Sequence, residues 1–216
     1  MGHRLAVELD GYLSDECKDL GRLSFVCHSL GGVITRAALG DPALSPYLSK
    51  LHAYVSLATP HCGYLLGDSS MLSTGIWFLK RWNKSVCLSQ LSLSDAAEPA
   101  DCFLFRLAKQ PALTHFRHVY LVASQQDKYA PFHSARVEIH PGAIADRKRG
   151  SVFHGMVGAL LGTLTSPDLD LRRFDIWFQP KKKNLDSFIG RTAHINFLTD
   201  SNYMMLLFMM HTQLFQ

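Results

Sequence analysis

The sequence is short of the features that would make several function classes easy to assign. Its five cysteines, Cys17, Cys27, Cys62, Cys87 and Cys102, are odd in number and form no Cys-x-x-Cys pair. A disulfide framework or a zinc ribbon is therefore not expected. No His-Glu-x-x-His, phosphate-binding loop or dinucleotide fingerprint is present. His28, His61, His140 and His154 lack metal-ligand spacing, so neither metal nor cofactor is expected. The most apolar stretch, Met204 to Met210, falls well short of the roughly 20 residues needed to span a bilayer. Arg4, Glu8 and Asp10 interrupt any early signal core, and the expected location is cytoplasmic.

Charge of one sign is scarce too. Lys and Arg number 22 against 18 Asp and Glu, a net of +4, too weak for a nucleic-acid-binding face. The one dense basic run, Lys181, Lys182 and Lys183, reads as a solvated loop. A peripheral contact with an anionic membrane is the alternative, although such contacts usually gather about four or more basic residues.

What is present is globular: 216 residues, 47% apolar and 11% aromatic, enough chain for a well-buried core. No repeat or clear linker divides it, so residues 1–216 are taken as one domain. Leu5, Leu9, Leu13 and Leu20 space a helix over Arg4 to Leu20. Leu23 to Cys27 reads as a strand and Leu30 to Leu39 as a helix, with Gly40 and Pro42 as stop signals. Further strands are expected at Leu51 to Ala58, His118 to Ser124 and Phe174 to Gln179. Helices are expected over Val152 to Leu164 and from Asn202 onward. Strands separated by helices, with runs such as Val119 to Ala123, suggest a mainly parallel α/β sheet buried on both faces. A long segment of about 64–116 carries Trp77, Phe78 and Trp82 and is read as an apolar insertion or cap.

The sharpest motif is Cys27-His28-Ser29-Leu30-Gly31-Gly32, between a strand and a helix. A serine nucleophile on such a turn needs small residues two before and two after it, and Cys27 and Gly31 fill those places. The helix that begins at Leu30 offers its N–H to an oxyanion formed when Ser29 attacks a carbonyl. Serine also needs a base, and the base an orienting carboxylate. Asp127 follows the third strand and is the candidate acid. His194, after the fourth, is the candidate base, with His133 as its rival. His28, Trp77 and Phe78 are candidates for substrate contact.

His-Ser-Leu-Gly-Gly followed by a strand and Thr59-Pro60-His61-Cys62-Gly63 resembles the serine lipases of the α/β-hydrolase superfamily. The closer likeness is to the eukaryotic lipase-like serine esterases, and within them to the C-terminal domain of the "family with sequence similarity 135" proteins. It is carried by Leu51-His52-Ala53-Tyr54, Thr74-Gly75-Ile76-Trp77-Phe78, Leu121-Val122-Ala123-Ser124, Pro131-Phe132-His133-Ser134-Ala135-Arg136 and Ile189-Gly190-Arg191-Thr192-Ala193-His194-Ile195. The resemblance implies an α/β-hydrolase fold, a nucleophile at Ser29, an acid and base at Asp127 and His194, and a structural role for His61. It also implies a substrate among lipid or other acyl esters and a role in lipid metabolism. Two departures stand out. Cys27 replaces the usual Gly, and no His-Gly dipeptide lies in the 28 residues before Ser29. The domain is therefore expected to be truncated at its N-terminus, without its first strands and oxyanion loop. The rival expectation is a weak or inactive hydrolase-like module that binds a protein partner or a lipid.

Overall fold

A computed structural model describes residues 1–64, 85–140, 142, 146–147, 149–179 and 191–214. Trp77, Phe78 and the Lys181–Lys183 run lie outside them, as does much of the expected cap.

Four parallel strands form one sheet in the order β1-β2-β3-β4: β1 Leu23–His28, β2 Leu51–Leu57, β3 His118–Ala123 and β4 Asp170–Asp175. The burial of each strand follows its composition. In β2 every residue of Leu-His-Ala-Tyr-Val-Ser-Leu is buried, and β3 is buried from Val119 to Ala123. These are the two inner strands. β1 alternates between partly buried and exposed residues, and β4 carries Arg172 and Arg173; among the described residues each pairs on one side only. Because all four run the same way, their carboxyl ends share one edge of the sheet, where open α/β sheets place ligands.

The fourth strand departs from expectation. It was expected at Phe174 to Gln179 and spans Asp170–Asp175. Its ladder with β3 starts at His118 opposite Asp170 and ends at Ala123 opposite Asp175. Ile176 still donates to the Ala123 carbonyl at 2.8 Å. Beyond it a side chain captures the backbone: Phe178 N–H donates to Gln126 Oε1 at 2.7 Å, and Gln126 Nε2 donates to the Phe178 carbonyl at 2.9 Å. The aromatic signal of Trp177 and Phe178 thus marks the strand's exit.

Helices flank the sheet. On one face lie α1 Gly2–Glu16, α2 Leu30–Leu39, α3 Val86–Leu91, α4 Phe103–Ala108 and α6 Gly150–Leu164. They share a large core with Leu104, Leu121, Phe153, Met156 and Leu160 at its centre. α1 ends four residues earlier than its leucine spacing suggested, because Leu20 lies past the cap at Cys17. Residues 85–116 belong to this core through Leu91, Leu104, Leu107 and Leu113. The short α5, Phe132–Arg136, follows the β3 loop.

The other face holds a smaller core of Val55, Leu57, Tyr120, Val122, Phe178, Phe197, Leu207 and Leu214. It is covered by α7 Arg191–Thr199 and α8 Ser201–Met210. Each fully buried Leu or Phe stabilises by about 1.5–3 kcal/mol, so the face with fewer of them is held less tightly. Among the described residues no helix is long and apolar enough to cross a membrane.

Candidate active site

Ser29 follows β1 directly and caps the start of α2. Its backbone sits at φ 54°, ψ −129°, a region that favours glycine and costs a serine about 1–3 kcal/mol. Neighbouring groups hold it there. Ser29 N–H donates to the Leu57 carbonyl of β2 at 2.9 Å, and Gly32 N–H donates to the Ser29 carbonyl at 3.2 Å. The Ser29 N–H is therefore occupied, whereas the Leu30 N–H begins the helix, where no intrahelical acceptor exists.

The crowded glycine is not the one the motif suggested. A Cβ on Gly31 would meet nothing within 4 Å outside its own helix, whereas a Cβ on Gly32 would lie 2.3 Å from Thr59 Oγ1 and 2.7 Å from Tyr54 Oη. Gly32 is the position that lets α2 approach the end of β2. Tyr54 Oη donates to the Gly32 carbonyl at 2.9 Å and ties the two together. Cys27 lies buried beneath the turn, its Sγ 3.3 Å from Thr35 Oγ1. Burial raises its thiol to about 11, against a smaller lowering from Thr35, so it remains a thiol and offers no second nucleophile.

Asp127 and His194 meet across 67 residues of sequence. Asp127 Oδ2 accepts from His194 Nδ1 at 2.7 Å. Its other oxygen accepts from the backbone N–H groups of Tyr129 at 2.7 Å and Ala130 at 3.1 Å. The carboxylate is thus fixed by its own loop and presents one oxygen to the imidazole. Asp127 is 4% exposed and His194 7%, so solvent competes little for their bond. Tyr129 stacks on the His194 ring, centroids 5.5 Å apart. With Nδ1–H given to the carboxylate, His194 Nε2 carries the free lone pair.

His28, the residue before Ser29, contacts His194. Its ring lies 4.6 Å from that of His194, and its Nε2 donates to the His194 carbonyl at 2.9 Å. Among the described residues no direct hydrogen bond joins Ser29 Oγ to the His194 ring, and such bonds commonly tighten only with substrate bound. His133, the rival base, lies with Glu138 and His140 instead: its Nδ1 is 3.9 Å from Glu138 Oε2 and its ring 4.4 Å from that of His140.

Comparison with known families adds to this geometry. The model of the family described as "Putative serine esterase (DUF676)" matches residues 1–139, more than half of the chain. The chain belongs to this family. No solved structure matches it. The matched stretch includes Ser29, Leu30 and Asp127, and the parallel sheet flanked by helices is the α/β arrangement of such esterases. His194 lies beyond the match and rests on geometry alone.

The sequence motifs marked His61 but not the buried polar cluster around it, beneath α2. Arg36, in the last turn of α2, is 1% exposed. Its Nη1 donates to the His61 carbonyl at 3.1 Å and lies 3.4 Å from His61 Nδ1. His61 Nε2 lies 2.8 Å from Ser56 Oγ on β2. Burial first, and the guanidinium second, hold His61 well below its ordinary pKa. Next to it, Cys62 N–H donates to Ser134 Oγ of α5 at 3.0 Å. Arg36, His61, Ser56 and Ser134 therefore stitch α2 to the β2 loop and to α5. Arginine two turns into an otherwise apolar helix was the available signal for this cluster.

Proposed function

We infer that the chain hydrolyses carboxylic esters through Ser29, His194 and Asp127. Ser29 Oγ attacks the acyl carbon while its proton passes to His194 Nε2. Leu30 N–H takes up charge on the oxyanion. His194 then gives the proton to the leaving alcohol, and an acyl-enzyme remains on Ser29. Water, deprotonated in turn by His194, attacks the acyl carbon; His194 returns that proton to Ser29 Oγ as its bond to the acyl carbon breaks, and the carboxylic acid leaves. Asp127 holds the imidazole with Nδ1 protonated throughout and stabilises the imidazolium.

The observation that carries this reading is the 2.7 Å bond between Asp127 and His194 beside a serine in a strained strand-to-helix turn. Membership of a serine esterase family supports acyl esters, lipids among them, as the substrate class.

Turnover of a p-nitrophenyl ester tests the assignment. Ser29→Ala and His194→Ala should each lower kcat by about 10⁴-fold or more, whereas His133→Ala should leave it within about twofold of the parent. Loss on His133→Ala with retention on His194→Ala would reverse the assignment of the base.

A further inference from the structure

His28 precedes the nucleophile and was expected to meet substrate, yet its donor nitrogen is spent on the base. We propose that His28 is a positioning residue that sets the distance between the nucleophile and the base, and is not a substrate contact. This rests on the roles given above to Ser29 and His194.

One peptide bond joins His28 to Ser29, and that unit is planar and stiff. His28 is itself fixed by β1, where it stands opposite Leu57 of β2. From this anchored position its Nε2–H reaches the carbonyl of His194 at 2.9 Å, across 166 residues. That carbonyl belongs to the first turn of α7. It can serve the helix with one lone pair and keep the other for a side-chain donor. One peptide bond, the His28 side chain and one hydrogen bond thus link Ser29 to the His194 backbone.

The other restraints on His194 act elsewhere. Asp127 bonds its Nδ1 and Tyr129 stacks on its ring, and both belong to the loop after β3. They fix the base relative to the acid. Among the described residues, the His28 bond is the hydrogen bond that fixes the base relative to the strand carrying the nucleophile. A misplacement of about 1 Å between reacting groups can cost on the order of 100-fold in rate.

The protonation state suits the task. A carbonyl only accepts, so Nε2 of His28 carries its proton. Burial lowers the pKa of His28, outweighing the bond to His194 that raises it. His28 is thus neutral at neutral pH and places no cation against the His194 ring when that ring takes the serine proton.

Two variants separate positioning from substrate contact. His28→Phe keeps a planar ring and removes the donor. His28→Gln keeps a donor of similar reach. The Phe variant should lose about 10- to 100-fold in kcat with KM within about twofold, and the Gln variant should recover most of the loss. In ¹⁵N-histidine-labelled protein, the downfield proton on His194 Nδ1 should stay sharp in the parent and Gln variant and broaden in the Phe variant. A raised KM at unchanged kcat in the Phe variant would assign His28 to substrate. Equal losses in the two variants, or an unperturbed downfield proton in the Phe variant, would also overturn the proposal. A parent protein that neither turns over esters nor reacts with a fluorophosphonate would defeat the esterase reading itself, and the downfield proton would still decide whether His28 holds His194.

Discussion

Ser29 is held by backbone hydrogen bonds and by a helix seated in the larger core, whereas His194 is held mainly by side chains on a helix that covers the smaller one. Around Ser29, β2 supplies the Leu57 carbonyl, Gly32 permits close approach, and the buried Arg36–His61–Ser56 chain locks α2 to the next loop. Around His194, Asp127 and Tyr129 each make one side-chain contact, and His28 makes a ring contact and a hydrogen bond. On the outer side of α7 and α8, Leu198, Met205, Leu206, Met209 and Met210 are each more than half exposed. The difference follows from what each group requires. A serine in a strained turn needs surroundings that over-determine its backbone. An imidazole needs a tautomer and an orientation, and a few directional bonds supply both.

If that contrast is right, removing one directional bond around His194 should cost turnover with little cost in stability, and the His194 side should loosen before the Ser29 side. Asp127→Asn is the sharpest probe of the first half. It keeps the shape of the acid but favours the wrong imidazole tautomer, so kcat should fall by roughly 10⁴-fold while the thermal midpoint barely moves. An intact kcat would separate Asp127 from the base.

Phe197 is fully buried in the smaller core and packs edge-on against Phe178 and Tyr203. Phe197→Ala should cost about 3–5 kcal/mol in urea unfolding. Because Phe197 lies one turn from His194, turnover should fall at denaturant concentrations where the far-UV signal of the sheet is still native. Coincident loss of both signals would show the two sides to be equally cooperative.

Gly32→Ala tests the nucleophile side. Its Cβ would force Thr59 and Tyr54 apart, and overpacking of this kind costs about 1–3 kcal/mol. Gly31→Ala, with open space around it, should stay within about 0.5 kcal/mol of the parent. A reversed ranking would mean that α2 and the end of β2 are not in close contact.

The smallest effect is a pH dependence. The folded pKa of His61 lies well below its ordinary value of 6.5. Above pH 6.5 the ring is neutral in both folded and unfolded chains, and it contributes no slope. As pH falls below 6.5, the unfolded chain binds a proton that the native ring refuses, so stability declines. The slope is at most about 1.4 kcal/mol per pH unit. His61→Gln should remove that slope, as seen in urea midpoints between pH 6.5 and 5. An unchanged slope would place the responsible histidine elsewhere.

The sequence was most legible where local pattern and tertiary role coincide. α2 spans Leu30–Leu39 as its stop signals indicated, and β2 and β3 are apolar runs because they are buried on both faces. The places of Ser29 directly after β1 and of Asp127 in the loop after β3 were readable because both strands carry a clear local signal. β4 was less legible, since an edge strand with Arg172 and Arg173 lacks the apolar signature and the aromatic residues after it mimic one. The contacts of His28 could not be read at all. They join positions 166 residues apart, and no local periodicity encodes such a distance. Arg36 was hidden for the same reason: it looks ordinary in its own segment, and only its buried pairing with His61, which the motif had marked, gives it a role.

Intact mass after incubation with a fluorophosphonate decides whether Ser29 is a nucleophile activated by His194. One phosphonyl adduct is expected, mapped to the peptide carrying Ser29, absent in Ser29→Ala and formed much more slowly in His194→Ala. A folded parent protein that stays unmodified, or an adduct that persists in Ser29→Ala, would contradict that role.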